Sequence, residues 1–319
     1  MDESSKQVVL TLRTQVNPSG SGDANAGVST PEFVALGAQA LCIAANDLSC
    51  TRTAAASALS AESTATHAEL VSILQQGRVV DSQPLEGGHE THPSFKVLLE
   101  HRGKKSWAIF KPRIDGDGDG WHRATMEWVA YELSLMLGLD LVPPVAYRRG
   151  GVECHYQHFE EGAFIHFVPD AVELQEAPLD AWGVPQALLL SDTRILDVLL
   201  HNSDRHHGHF LFGPGWVAPH GKQPILIDHA AAFRKEAHVT LDHENAFRTG
   251  PVRCVSSRTY LRLRFLDARA IAARFAGTLS TGEMRALLTR RNAVLERVDA
   301  LVEVQGFAAT VIEPSAPLR

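Results

Sequence analysis

The sequence has little of what defines several broad classes of protein. Its four cysteines are scattered and form no CxxC pair, which disfavours a disulfide framework or a thiolate metal site. No apolar run reaches the length that a bilayer-spanning helix needs. Thirty basic residues stand against thirty-seven acidic ones, and the net charge of -7 argues against a general nucleic-acid-binding protein. We therefore expect a soluble, cytoplasmic protein without a nucleic-acid or membrane partner.

The composition changes along the chain, and these changes predict its organisation. Residues 1–30 are rich in Ser, Gly, Asn and Asp and are predicted to be disordered. Residues 31–77 are rich in alanine and predict a helical extension. Residues 78–168 and 169–306 carry the patterned hydrophobic segments and are predicted to form two lobes. Residues 307–319 are predicted to be a frayed tail.

A lysine at the end of an apolar strand is the first candidate for chemistry. Residues 95–100 and 106–110 have the composition of two strands joined by a glycine-containing turn, and Lys111 follows the second strand. Another glycine turn, Gly87-Gly88, precedes the pair. A lysine in this position can reach nucleotide phosphates covered by a glycine turn, although a solvated lysine at a strand end is commoner.

An acidic loop follows this lysine and resembles the start of a calcium-binding loop. Residues 115–120 alternate aspartate with glycine, but Met126 occupies the position where calcium needs a bidentate glutamate, and Glu127 comes one place late. We therefore favour a flexible loop leading into an amphipathic helix over residues 123–137, which Gly138 ends. Glu127, in the first turns of this helix, could face the strand that carries the lysine.

Residues 194–233 are the stretch around which we expect the chain to be organised. An apolar helix gives way to a polar cluster that contains Asp204, and a hairpin follows that delivers Asp228. Phosphoryl transfer needs one carboxylate to orient the attacking hydroxyl and another to hold a metal on the phosphates. Each aspartate alone has a plainer interpretation, since Asp204 could pair with Arg205 or cap a turn and Asp228 could simply end a strand.

Four histidines in the same stretch raise the possibility of a zinc site, because imidazoles are good zinc ligands. They are His201, His206, His207 and His209. A run from helix to loop points neighbouring side chains in different directions, and no cysteine lies nearby in sequence. We therefore favour His206 as a buried brace of the loop over a zinc ligand.

The C-terminal part is predicted from two patterns. Hydrophobic residues recur at helical spacing over residues 281–304, which predicts a long amphipathic helix packed on the second lobe. Residues 236–265 show no clear period and are predicted to be irregular, with residues 254–258 in a substrate-facing loop.

Several of these segments together resemble a known group of kinases. They are FKP at 110–112, MEWVAYEL at 126–133, LDVLLHNSDRHH at 196–207 and LIDHAAAF at 226–233. In this order they resemble the atypical kinases of the Golgi casein kinase, four-jointed and glycosaminoglycan xylosylkinase group, and more distantly phosphatidylinositol kinases and HipA-type kinases. The resemblance covers roughly residues 75–305. It implies an α+β, bilobal protein-kinase-like fold with a small antiparallel-sheet N-lobe and a mainly helical C-lobe, here with a helical N-terminal extension.

The resemblance implies roles for residues on the nucleotide side. Lys111 would be catalytic and bind the phosphates of ATP, and the turn at Gly87 and Gly88 would cover them. Glu127 would support the lysine or contact the metal.

It also implies roles around the two aspartates. Asp204 would be the catalytic base, braced by Asn202 and His206, and Asp228 would be the principal metal ligand. His209 stands where many relatives carry Asn or Glu, and as a metal ligand it is softer and favours transition metals over magnesium. In addition, the residues after Asp228 are His-Ala where Asn-Gly is common.

The function implied is an ATP-dependent kinase that uses Mg²⁺ or Mn²⁺ and transfers the γ-phosphoryl group to a hydroxyl acceptor. A protein or peptide Ser/Thr, a sugar and a small metabolite are all compatible acceptors. Two alternatives stay open: a pseudokinase or nucleotide-binding regulatory module, and a kinase-fold enzyme that transfers AMP or another group.

Overall fold

The computed structural model describes six stretches of the chain, all within the unit Ala40–Arg319. They are residues 61–85, 93–114, 123–173, 184–216, 222–234 and 251–313. Five sets of predictions fall outside them, wholly or in part: those on residues 1–60, on the glycine turn Gly87-Gly88, on the acidic loop 115–120, on residues 236–250 and on residues 314–319.

A five-stranded antiparallel sheet with one helix against it forms the first lobe. The strand order is β1-β2-β3-β5-β4. The elements are α1 (Ala61–Gln76), β1 (Arg78–Pro84), β2 (Phe95–His101), β3 (Lys104–Pro112), β4 (Val145–Cys154) and β5 (Gln157–His166). The two predicted strand pairs, β2 with β3 and β4 with β5, are both present. Strands that are neighbours in sequence are also neighbours in the sheet, except that β5 lies between β3 and β4.

Alternation along β3 decides which way Lys111 faces. Ala108 and Phe110 are fully buried in the core between the sheet and α1, which includes Leu74. Side chains on a strand alternate between its faces, so Ile109 and Lys111 lie on the opposite face. Ile109 packs there against the larger core of the protein. The lysine is thereby directed away from the extension helix and towards the second lobe.

Helix α2 (Thr125–Leu137) packs between the sheet and the second lobe. Its apolar face, including Val129 and Leu133, is fully buried in the larger core. It ends at Gly138, which is in the left-handed conformation with φ 73°. A Cβ there would also lie 2.9 Å from the Arg262 side chain, which would have to move, whereas the left-handed backbone favours glycine whatever the space.

The second lobe combines helices with a three-stranded sheet of order β6-β7-β8. Its helices and strands are β6 (Val172–Glu173), α3 (Val184–Leu200), β7 (Phe210–Pro214), β8 (Lys222–Leu226), β9 (Val255–Ser256), α4 (Ser257–Phe265), α5 (Ala268–Phe275), α6 (Thr281–Gln305), α7 (Phe307–Thr310) and β10 (Val311–Ile312). The predicted long C-terminal helix corresponds to α6, which begins with a capping box formed by Ser280 and Glu283. None of the described helices is both long and apolar enough to span a bilayer.

Two regions differ from the predictions made for them. Residues 257–265, predicted to be irregular, form helix α4. Residues 254–258 are not a substrate-facing loop, because Val255 and Ser256 are buried and Ser256 caps α4 by accepting a hydrogen bond from the Thr259 amide. Residues 307–313 also differ from the predicted frayed tail, since they form α7 and β10, and β10 pairs with β9 in parallel. This pairing joins distant segments and leaves no local periodicity to recognise.

Candidate active site

Lys111 is held between two carboxylates that come from different parts of the chain. Its Nζ donates to Glu127 Oε1 at 2.6 Å and to Asp228 Oδ1 at 2.9 Å. The side chain of Glu127 is 2% exposed, whereas those of Lys111 and Asp228 are 18% and 33% exposed. The ammonium group is therefore buried on its Glu127 side and accessible on its Asp228 side.

These contacts keep all three groups charged. Burial alone would lower the pKa of Lys111, but the charges of Glu127 and Asp228 outweigh it and raise that pKa well above its usual value. Burial would raise the pKa of both carboxyls, yet the lysine charge holds each pKa below its ordinary range. One cation thus faces two carboxylates, one buried and one partly exposed.

Asp228 lies on a strained segment of backbone that follows β8. It has a positive φ of 56°, which is uncommon for a residue with a side chain. The preceding carbonyl, of Ile227, accepts a hydrogen bond from Arg205 Nη1 at 2.8 Å. Strained conformations of this kind persist only where the surrounding structure fixes them, and they concentrate at functional sites.

Arg205 is the fixed point of the loop that carries Asp204. It forms a bidentate ion pair with Asp197 of α3, with both bonds at 3.0 Å, and the two side chains are 2% and 0% exposed. Its Nη1 donates to the carbonyls of His209 at 2.5 Å and Ile227 at 2.8 Å. Its Nη2 also contacts His229 Nε2 at 3.0 Å. All five N–H groups of the guanidinium therefore have acceptors.

Asp204 is positioned by the backbone and by Asn202. Its amide donates to Asn202 Oδ1 at 3.3 Å, and Asn202 Nδ2 in turn donates to Asp197 Oδ1 at 3.4 Å. The Asp204 side chain does not form the pair with Arg205 that one sequence interpretation allowed, because Arg205 is committed to Asp197. His206 Nδ1 accepts from the Gly208 amide at 3.1 Å, but His206 is only partly buried and so differs from the buried brace that was predicted.

His209 presents a free lone pair towards Asp228. Its Nδ1 lies 2.9 Å from the Asp204 carbonyl oxygen, which can only accept, so Nδ1 carries the proton. Burial lowers the pKa of the ring, which favours the neutral form. Nε2, which then has no proton, lies 3.4 Å from Asp228 Oδ2. Two acceptors at this separation repel each other unless a cation lies between them.

The predicted metal ligands are therefore not all brought together. Asp228 and His209 face each other, and ligand atoms of Asp204, His206 and His209 lie within 4.8 Å of one another. Glu127 does not face this group: Oε1 binds Lys111, and Oε2 accepts from the His229 amide at 3.1 Å. The geometry favours the lysine-supporting role over the metal-binding role for Glu127.

Helix α6 contacts the segments that carry the candidate active-site residues. Arg290 is completely buried, and its Nε donates to the carbonyl of Leu199 at 2.9 Å, near the end of α3. Its guanidinium also lies 4.9 Å from the ring centroid of Phe233, just after the Asp228 segment. Arg123, immediately before α2, pairs with Glu283 near the start of α6. The last long helix thus contacts both segments that carry the candidate aspartates.

Sequence reasoning assigned no role to Asp197 or His229, and it considered Arg205 only as a partner for Asp204. One signal was available for Asp197, which is a lone carboxylate within an otherwise apolar stretch of helix. A fully buried position for it implies a cationic partner. Nothing in the local sequence indicates which cation that is, because the pair spans the turn from helix to loop.

Comparison with protein-family models finds no match, and comparison with curated proteins finds none either. Among solved structures, the chain is similar to that of hydra Fam20 determined with a sugar, with a TM-score of 0.58 and 18% sequence identity. The similarity covers 78% of this chain and 93% of that chain. It confirms the predicted α+β, kinase-like fold. The chain has a Fam20-like kinase fold, as its resemblance to the Golgi casein kinase group implied.

Proposed function

We propose that this protein is an ATP-dependent phosphotransferase that moves the γ-phosphoryl group to a hydroxyl acceptor. The observation that carries the proposal is the contact of Lys111 with Glu127 and Asp228, on a kinase-like fold, beside the loop of Asp204. Phosphoryl transfer requires mainly positioning and charge stabilisation, which these groups are placed to provide.

On the nucleotide side, Lys111 binds the phosphates of ATP. Its ammonium group is accessible on the side of Asp228, so a phosphate oxygen can approach it while Glu127 keeps its hold from the buried side. Glu127 thus fixes the direction of the lysine and leaves it charged. A lysine is a point charge without a preferred plane, and it needs such support to be placed accurately.

Asp228 and His209 are the residues that would hold a divalent metal. Their facing acceptor atoms, Oδ2 and Nε2, fit a cation, and the carbonyl of Asp204 fixes the tautomer of His209 that a metal requires. When bound, such an ion neutralises charge on the phosphates during transfer. An imidazole ligand suits Mn²⁺ better than Mg²⁺, so we propose Mn²⁺ as the preferred ion and Mg²⁺ as a weaker substitute.

On the acceptor side, Asp204 orients the attacking hydroxyl and takes its proton. Its side chain is only partly buried and lies in the loop fixed by Arg205 and Asn202. The acceptor is a protein or peptide Ser/Thr, a sugar or a small metabolite. The sugar in the hydra Fam20 structure is a reason to place sugars in the first panel of acceptors.

The test is turnover of ATP by the purified protein, with Mg²⁺ and Mn²⁺ compared and with mass spectrometry of any modified acceptor, the protein itself included. We expect a phosphoryl group to be transferred, and we expect Asp204→Ala to remove transfer while ATP still binds. The mass added to the product separates phosphoryl from AMP transfer. ATP binding without transfer to any acceptor supports a pseudokinase, and no nucleotide binding overturns the proposal.

A further inference from the structure

His229 connects two parts of the site that are otherwise separate. It directly follows Asp228 and is completely buried. Its Nδ1 lies 3.3 Å from Glu127 Oε2, and its Nε2 lies 3.0 Å from Arg205 Nη2. Its own amide donates to the same Glu127 oxygen at 3.1 Å. The ring therefore lies between the helix that carries Glu127 and the loop that carries Asp204.

The partners of the ring determine its tautomer. Arginine has only donors, so His229 Nε2 accepts from Arg205. Glu127 is a carboxylate and only accepts, so His229 Nδ1 carries the proton and donates to it. Both nitrogens of a neutral ring are thus used, and a ring rotated by half a turn would place carbon atoms against Arg205 and Glu127 and lose both hydrogen bonds. The orientation of His229 is fixed by hydrogen bonding as well as by packing.

The two partners differ in how firmly they are held. Arg205 is tied to Asp197 and to two backbone carbonyls, all within the second lobe. Glu127 lies in the first turn of α2, and its other oxygen holds Lys111 on the sheet of the first lobe. Arg205 therefore contacts the His229 ring, and the ring contacts the Glu127 carboxylate that directs the lysine.

We propose that His229 is a positioning residue that sets the Glu127 carboxylate, and through it Lys111, relative to the catalytic loop. It touches neither substrate nor metal in this role. The inference rests on the proposed function for its catalytic meaning, although the contacts themselves can be tested on the protein alone. It explains why a histidine suits this position, because the ring must donate to a carboxylate on one side and accept from a guanidinium on the other.

Two substitutions separate the two halves of this connection. The side-chain amide nitrogen of asparagine occupies the place of Nδ1, so His229→Asn keeps a donor for Glu127 and loses the acceptor for Arg205. The side-chain amide oxygen of glutamine can occupy the place of Nε2, so His229→Gln keeps an acceptor for Arg205 and loses the donor to Glu127. Each variant loses one hydrogen bond of the buried ring.

The first measurement is ATP affinity, by calorimetry with Mn²⁺ present, in the full chain. Loss of one charge-assisted hydrogen bond corresponds to about a tenfold change in an equilibrium constant. We expect His229→Gln to weaken ATP binding about tenfold and His229→Asn to weaken it clearly less. Leu74→Ala, a truncation in the separate core between the sheet and α1, is the control for a general loss of stability. Equal weakening in the Asn and Gln variants would overturn the proposal.

The second measurement needs no nucleotide and so separates this inference from the proposed function. Glu127→Gln is combined with each His229 variant, and Tm is measured for the single and double variants. If His229 acts on Glu127, then Glu127→Gln lowers Tm in the Asn background about as much as in the wild type, and lowers it less in the Gln background. Equal Tm losses in all backgrounds contradict the inference, even if the wild type binds no ATP.

Discussion

The two ionic clusters at this site differ in their exposure to solvent and in how completely their charged groups are paired. Arg205 and Asp197 are 2% and 0% exposed, and every N–H of the guanidinium has an acceptor. Lys111 faces two carboxylates instead of one, and Asp228 is 33% exposed. The first cluster has no capacity left for another ligand. The second has an excess of negative charge and an accessible side.

The difference separates residues that fix the geometry of the site from residues that can bind a ligand. A saturated, dry ion pair loses much of its favourable energy to desolvation, so its value lies in fixing geometry. An unsaturated cluster at the edge of a cleft attracts a cation and can exchange one of its own contacts for a ligand. Under the proposed function, Arg205 and Asp197 would fix the shape of the loop that carries Asp204, and Lys111 and Asp228 would bind nucleotide and metal.

The largest effect on stability is expected from breaking the saturated pair. Arg205→Met leaves Asp197 as an unpaired buried carboxylate, which costs about 3–5 kcal/mol. Urea unfolding measures this loss. The double variant that adds Asp197→Leu removes the stranded charge and should recover a substantial part of it. A loss below about 1 kcal/mol for Arg205→Met would show that the pair does not hold the loop.

Asp192 is another buried carboxylate, and in the described structure no cationic group forms a hydrogen bond with it. Asp192 in α3 accepts a hydrogen bond from the Thr259 hydroxyl at 3.1 Å, and burial raises its pKa to about 7. The folded state therefore holds a proton that the unfolded state releases near pH 4. Stability contributed by this group is present below the unfolded pKa and is lost as pH rises from about 4 to about 7, by up to roughly 4 kcal/mol.

Asp192→Asn removes this titration. The variant should be more stable than the wild type at pH 8, and its stability should change less between pH 5 and pH 8. Chemical unfolding at several pH values provides the measurement, with the conversion of Asp267, the exposed cap of α5, to Asn as control. An Asp192→Asn protein with the same pH profile as the wild type would contradict the raised pKa.

Breaking the open cluster should affect stability less and function more. Lys111→Met leaves Glu127 bonded to the His229 amide and leaves Asp228 partly exposed, so we expect a loss of about 1–3 kcal/mol. ATP binding should fall below detection, because the charge that meets the phosphates is gone. Calorimetry and urea unfolding on one preparation compare the two effects. ATP affinity close to that of the wild type would exclude Lys111 from the binding site.

The smallest effect concerns the choice of metal. His209→Asn replaces the nitrogen that faces Asp228 with a harder amide, so we expect the affinity for Mn²⁺ to fall about tenfold relative to that for Mg²⁺. Electron paramagnetic resonance of bound Mn²⁺ measures the affinity without turnover and detects the nitrogen ligand directly. His158→Asn, at an exposed position in the first lobe, is the control. An unchanged nitrogen signal in His209→Asn would remove His209 from the ligand set.

Local patterns carried the predictions that succeeded. Alternation over residues 95–110 and the periodicity of residues 281–304 predicted the right elements, because each depends on neighbours in sequence. The fold itself followed from the order of four motifs and their resemblance to a kinase group. The roles assigned to Asp204, Asp228 and His209 stay predictions, although their placement suits them.

The contacts that organise the site join residues far apart in sequence, so sequence reasoning could not identify them. The ring of His229 depends on Glu127, which is about a hundred residues away along the chain. The parallel pair of β9 and β10 likewise needs a partner segment that no local period announces. Glu127 had two possible roles in the sequence, and its contacts with Lys111 and with His229 together favour one of them.

The bracing of the site by α6 also has a consequence for how the protein is made. A chain leaves the ribosome from its N-terminus, so Lys111, Asp204 and Asp228 are all synthesised before Arg290 exists. Until then the carbonyl of Leu199 and the ring of Phe233 lack the arginine that contacts both. A nascent chain therefore contains Lys111, Asp204 and Asp228 before it contains the arginine that contacts the segments of both aspartates. The contacts that Arg290 makes with both segments therefore form only after α6 has been synthesised.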